Sequence, residues 1–231
     1  MTSTGQNGTS SFVHYDAAYG RQTFEPFGAD GIEQNLGLQA GLGNFFTLAA
    51  NVGLAVGNGP STTSQQAEIL AHLLTALNSP VDFSAGLGYR HEYGGTGVLL
   101  SRIVLGRQFQ SSEAYGNILI EHAFSPYRDP VDLTTTFGYS RYISGGVKVG
   151  VEAVGQDLEG FWESDEAEGG AVVYAGPTAA VVFPGTNLNL VLGGGLIVRA
   201  THSPRTSGAY RDFNTSLGNG FVVRTTLCYA L

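Results

Sequence analysis

From Ile32 to Val56 the chain alternates with period two. Ile32, Leu36, Leu38, Ala40 and Leu42 fall on one parity, and Glu33, Asn35, Gly37, Gln39 and Gly41 fall on the other. After Gly43-Asn44 the pattern resumes, with Phe46, Leu48, Ala50, Val52, Leu54 and Val56 set against Thr47, Asn51 and Gly53. Successive side chains of a strand point to opposite faces, so each segment has one apolar face and one small or polar face. Two such strands joined by a tight Gly-Asn turn predict a hairpin.

Reading onward in this way predicts twelve strands, at 10–20, 32–42, 45–57, 67–77, 80–93, 97–109, 114–124, 131–142, 146–157, 171–183, 187–199 and 214–231. A tilted strand needs about 9–11 residues to cross a bilayer, and each of these reaches that length. The segment 67–77 also fits an amphipathic helix through Ile69, Leu70, Leu73, Leu74 and Leu77, and the connections arbitrate. With it as a strand, the links are long after strands one, three, nine and eleven and short after every even strand. The short set is Gly43-Asn44, Asn78-Ser79-Pro80, Gln110 to Glu113, Ser144-Gly145-Gly146 and Pro184-Gly185-Thr186. Transmembrane barrels show this asymmetry together with an even strand number, whereas a helix at 67–77 would leave an odd count. The expectation is an all-β, antiparallel, up-and-down transmembrane β-barrel of 12 strands, one domain over 10–231 preceded by a flexible segment over 1–9.

Composition agrees with a membrane surface. Charged residues are 13% of the 231, against about a quarter in ordinary soluble proteins. The 34-residue stretch Gln34 to Ala67 and the 30-residue stretch Gly169 to Val198 carry no charge at all. Asparagines, prolines and glycines interrupt both, so neither supplies the roughly 20 apolar residues of a transmembrane helix. A net charge of −8 argues against a general nucleic-acid binder, which needs a basic footprint. A soluble lipocalin-like cup would also alternate, with its polar set facing water. Eight strands suffice for such a cup, however, and Phe45, Phe46, Phe83, Tyr115, Tyr139, Tyr142, Phe183 and Tyr229 cluster near the short-turn ends as an interfacial girdle would.

The last strand carries Phe221, Val223, Thr225, Leu227, Tyr229 and Leu231 on one parity and ends the chain. It resembles the terminal strand of Gram-negative outer-membrane barrels, with Leu231 where that class usually has Phe. The segments Arg128 to Asp132, Gly150-Val151-Glu152, Gln156 to Gly160, Asp165 to Gly170 and Gly176-Pro177-Thr178 are similar to parts of uncharacterised predicted outer-membrane barrels. These resemblances imply a bacterial outer-membrane location, a lipid bilayer and lipopolysaccharide as surroundings, and recognition of the C-terminal strand by the barrel assembly machinery. Met1 to Ser11 lacks the apolar run of a signal peptide, so the chain reads as a mature sequence with an added initiator methionine.

No catalytic motif emerges, neither G-x-S-x-G nor H-E-x-x-H nor a phosphate-binding loop. His202 and Ser203 are adjacent rather than alternate, and Asp129 and Asp132 with His122 are the nearest approach to an acid-histidine set. The lone Cys228 excludes an internal disulfide. No cofactor and no metal site is expected from the spacing. Asp157, Glu159, Glu163, Asp165, Glu166 and Glu168 form an acidic segment around Phe161 and Trp162. It reads as a solvated extracellular loop, or as a place where a divalent cation bridges to lipopolysaccharide.

The polar parity carries the candidate lumen: Glu33, Glu68, Asp82, Arg90, Glu92, Arg102, Glu121, Asp132, Lys148, Glu152, Arg199 and Arg224, with His14, Asp16 and His72 on the same face. These hold eight acids against five bases, an excess of three negative charges. Buried charges must pair or meet water, and Glu121, Asp132 and Glu152 are expected to meet Arg102 or Lys148. Inward glycines such as Gly37, Gly41, Gly86, Gly88, Gly138, Gly150, Gly193 and Gly195 reduce the filling of the interior. The functional expectation is a narrow pore for small solutes or ions, mildly cation-preferring. The alternatives are a non-conducting structural or adhesion barrel acting through the acidic and Arg205–Arg211 loops, and, less favoured, a lipid-modifying barrel enzyme.

Overall fold

The computed structural model describes residues 11–20, 30–57, 61–75, 79–92, 95–125, 131–163, 170–202 and 219–231. Its strands are β1 (Phe12–Gly20), β2 (Gly31–Leu42), β3 (Phe46–Gly57), β4 (Thr62–Leu74), β5 (Asp82–Glu92), β6 (Gly97–Gln108), β7 (Ser112–Ala123), β8 (Asp132–Ser144), β9 (Val147–Gln156), β10 (Val172–Val182), β11 (Leu188–Arg199) and β12 (Gly220–Ala230). Each pairs antiparallel with its sequence neighbours, and β1 pairs with β12 to close a 12-stranded barrel. Closure matters because a bilayer offers no water to an open sheet edge. A single-turn 3-10 helix, Leu158–Phe161, stands between β9 and β10. No described helix is long and apolar enough to cross a membrane; this chain crosses with strands.

The alternation determines which face is which. Leu36, Leu48, Val52, Leu87, Leu99, Val151, Leu192, Leu196 and Val223 are exposed on the outside, while Glu33, Glu68, Arg90, Arg102, Glu121 and Glu152 are buried inside. That is the inversion of a soluble barrel, and it presents a hydrocarbon-facing wall. Exposed aromatic residues crown both ends: Phe45, Phe46, Phe109, Tyr142, Phe183 and Tyr229 at the tight-turn end, and Tyr19, Tyr89, Phe124 and Phe221 at the other. Tyr and Trp favour such interfaces because one end of the ring system is apolar and the other can stay wet.

Three expectations need correction. The fourth strand is a strand, but it starts at Thr62 and ends at Leu74 rather than covering 67–77. Residues 62–66 extend the period-two pattern with polar side chains, which a search for apolar alternation passes over. The link after β3 therefore shrinks to 58–61 and the link after β4 grows to 75–81. The long links are those after β1, β7, β9 and β11. Second, Tyr115 is not part of the interfacial girdle; it shares its parity with Glu121 and faces the interior. Third, Asp157 and Glu159 are buried rather than solvated. Glu159 Oε2 accepts the Leu133 amide at 2.8 Å, tying the start of the acidic segment to β8. Glu163 is exposed, whereas Asp165, Glu166 and Glu168, like the Arg205–Arg211 loop, lie outside the described residues.

The barrel interior

A cavity of about 180 Å³ lies inside the barrel, lined by side chains from β1 round to β12. On the same measure a single water needs about 10–15 Å³, so the space holds several waters. Carboxylates at Asp16, Glu33, Glu68 and Glu152 and guanidinium groups at Arg90, Arg102 and Arg224 share its wall. Beside it lie apolar patches: Val98, Leu100, Leu119 and Ala123 on β6 and β7, and Ala18, Val154, Val172, Tyr174, Ile197 and Val222 across β9 to β12 and β1. The interior is thus partly packed and partly open, as expected for a strand number between a filled small barrel and a wide porin.

Ion pairs cross the lumen wall by skipping strands. Arg102 on β6 reaches Glu68 on β4 with Nε to Oε2 at 2.6 Å and Nη2 to Oε1 at 3.0 Å, a two-pronged contact. Between them β5 presents Gly86 and Gly88, and a Cβ on Gly88 would collide with the Glu68 side chain. Arg90 on β5 holds two acids: Nη1 and Nη2 donate to both oxygens of Glu121 on β7, the first at 2.8 Å, and Nε donates to Glu92 at 3.0 Å. On the intervening β6, Val98 and Leu100 are fully buried. Lys148 on β9 meets Glu113 on β7 at 2.7 Å, and Ser140 on β8 donates to the same oxygen. Arg224 on β12 meets Glu152 on β9 at 2.5 Å, and its guanidinium lies 5.2 Å from the centre of the Tyr174 ring. The register sets Gly193 beside Arg224 and Gly176 beside Glu152, leaving room for this reach.

These pairings replace those expected from the sequence. Glu121 and Glu152 bind Arg90 and Arg224, not Arg102 or Lys148. The reason is tertiary: long side chains reach across an intervening strand, over Gly86 and Gly88 for Arg102 and over Val98 and Leu100 for Arg90, and a linear reading does not show which positions then meet. Inward glycines accordingly serve less as empty wall than as seats, with Gly37 under the His14 ring and Gly138 under Tyr115. Arg199 sits buried near the opposite end, where its Nη1 donates to the Gly170 carbonyl at 3.2 Å. Asp132 is buried on β8 and Asp82 is half-buried at the start of β5.

The sequence reading missed Glu113, which it placed in a turn one residue before the seventh strand. Its parity with Glu121 carries the signal. His72 is held between two hydroxyls, with Nε2 2.7 Å from Thr47 Oγ1 and Nδ1 2.9 Å from Ser84 Oγ. Ser84 is buried and neither His72 contact is to a carboxylate, so this trio lacks the orienting acid and the open nucleophile of a catalytic set. Among the described residues no group of three or more His, Cys, Asp or Glu is arranged to hold a metal ion.

No protein-family model and no curated protein sequence matches the chain. Solved structures do. The NanC porin superposes with a TM-score of 0.66 at 8% identity, covering 95% of this chain and 100% of that one. The KdgM porin in complex with oligogalacturonate superposes with a TM-score of 0.63 at 10% identity, covering 95% and 99%. Omp33 of Acinetobacter baumannii gives 0.53 at 8% identity, covering 98% and 100%. Identity this low speaks for architecture alone, and the closed barrel, the lipid-facing exterior and these likenesses agree on it: the chain has the porin-like fold of an outer-membrane transmembrane β-barrel.

Proposed function

We propose that this barrel sits in the bacterial outer membrane as a narrow pore for small solutes and ions, with a mild preference for cations. The observation that carries this reading is the cavity inside the barrel, whose wall holds four carboxylates against three guanidinium groups. Arg102 and Arg224 are each engaged by a carboxylate of that wall, and Arg90 by Glu121 and Glu92. The positive charge is thereby held close to acids and the residual field favours cations. Two of the similarly folded proteins are porins, which supports passage of solutes.

The experiment is reconstitution of the refolded chain into planar bilayers under a potassium chloride gradient. Discrete conductance steps with a reversal potential of cation-selective sign are expected. A second reading, a plugged structural barrel, draws on the full burial of Val98, Leu100, Tyr174, Ile197 and Val222 inside the wall. Membranes that stay silent while the protein migrates as folded on a heat-modifiable gel would establish it instead.

A further inference from the structure

On the β1–β3 side of the lumen wall, several buried polar acceptors gather without donors. Asn35 Oδ1 on β2 and Asn51 Oδ1 on β3 are buried and accept no hydrogen bond among the described residues, and His14 Nδ1 on β1 is also without a partner. Buried polar atoms are nearly always satisfied, so such a group of unmet acceptors points to something that supplies positive charge or protons. Asp16 stands among them. The register sets Asp16 opposite Asn35, and His14 and Asn51 both opposite Gly37. Gly37 has no Cβ, and one placed there would strike both the His14 ring and Asn51 Oδ1, so these two side chains converge over it.

The Asp16 carboxylate is only partly engaged. Its Oδ1 accepts from the Thr226 hydroxyl, and its Oδ2 faces His14 Nε2 at 3.4 Å. His14, Asp16, Asn35, Asn51 and Thr226 all line the central cavity. Across the barrel on β7, Asn117 Oδ1 is likewise buried without a partner and lines the same space. One formal charge surrounded by neutral amide oxygens suits a small cation that exchanges part of its water shell for protein oxygens. The multiple carboxylates and six to eight oxygens that calcium requires are not assembled here.

We infer that Asp16, Asn35 and Asn51 form a binding station for a small monovalent cation on the β1–β3 wall of the lumen. This rests on the pore reading and locates its cation preference at a place. A station of this kind makes conductance saturate as potassium concentration rises, because each ion must leave before the next occupies it.

The test measures conductance against potassium chloride concentration, and reversal potential in a gradient, for the full chain and four variants verified as folded by heat-modifiable migration. Wild type is expected to saturate and to select cations. Asp16→Asn should lose most of the selectivity; Asn51→Leu and Asn35→Leu, which change no charge, should each straighten the saturation curve and lower selectivity several-fold. Glu33→Gln removes a neighbouring wall carboxylate outside the station and should lower selectivity only slightly while the saturation curve keeps its shape. A wild-type curve that is linear means a wall lined by water only and overturns the station while the pore stands. Equal effects of Asp16→Asn and Glu33→Gln would mean a general field rather than a site, and overturn it too. A folded but silent wild type overturns the pore and the station together. If the leucine variants fail to fold, Asn51→Ser and Asn35→Ser, which shorten the acceptor, make the same comparison.

Discussion

The ring of Tyr115 on β7 lies over Gly138, its direct partner on β8, in space that any side chain at 138 would occupy. Tyr115 also lines the central cavity, so the pair couples sheet packing to the width of the lumen. Gly138→Ala should drive a methyl into the ring, and overpacking of this kind costs about 1–3 kcal/mol. A lower urea midpoint in detergent would register it. Tyr115→Ala removes the ring from the wall and should raise single-channel conductance.

Arg90 is the most completely buried cation of the interior, 2% exposed, and it serves both Glu92 and Glu121. Arg90→Met leaves two buried acids without their guanidinium. Breaking a buried pair in this way costs about 3–5 kcal/mol, expected as a marked loss of unfolding resistance. Adding Glu121→Gln should recover part of that loss, since it removes one of the stranded charges. No recovery would show that the network does not act as a charge pair.

The outer wall makes a depth-dependent prediction. Leu36 is exposed midway along β2, and Phe46 is exposed next to the tight turn between β2 and β3. In a bilayer, arginine at a mid-strand lipid-facing position costs about 2–4 kcal/mol and near the interface about 0–1 kcal/mol. Leu36→Arg should therefore destabilise the protein in lipid vesicles far more than Phe46→Arg. Equal effects would contradict a membrane-spanning wall.

Glu159 anchors the 3-10 turn by accepting the Leu133 amide. Glu159→Ala leaves that amide without its acceptor, a loss of about 1–3 kcal/mol locally. Hydrogen exchange at Leu133 should accelerate while exchange at mid-barrel amides such as Leu119 stays slow, because strand pairing there does not depend on the turn.

Much of the architecture is legible in the amino-acid sequence. Period two needs only consecutive residues, so Ile32 to Leu42 and Phe46 to Val56 disclose their faces directly, and a tight Gly-Asn turn fixes their pairing. The polar start of β4 was not legible, because Thr62 to Gln66 alternate without the apolar residues that make alternation visible. Glu113 and Tyr115 were misplaced for a related reason: strand ends and interface positions contain the same residue types, and only the register separates them.

The candidate lumen shows where local reading ends. Residue parity by itself determined that Glu33, Glu68, Arg90, Glu121, Glu152 and Arg224 turn away from lipid, since side-chain direction in a strand is a local property. Which acid meets which base was decided by the closed barrel. Closure brings β12 against β1, and long side chains reach across intervening strands to partners that the register of the sheet sets. Arg224 and Glu152 are 72 residues apart in the chain and in contact across the wall; no spacing rule reaches that far, because their proximity is a property of the curvature.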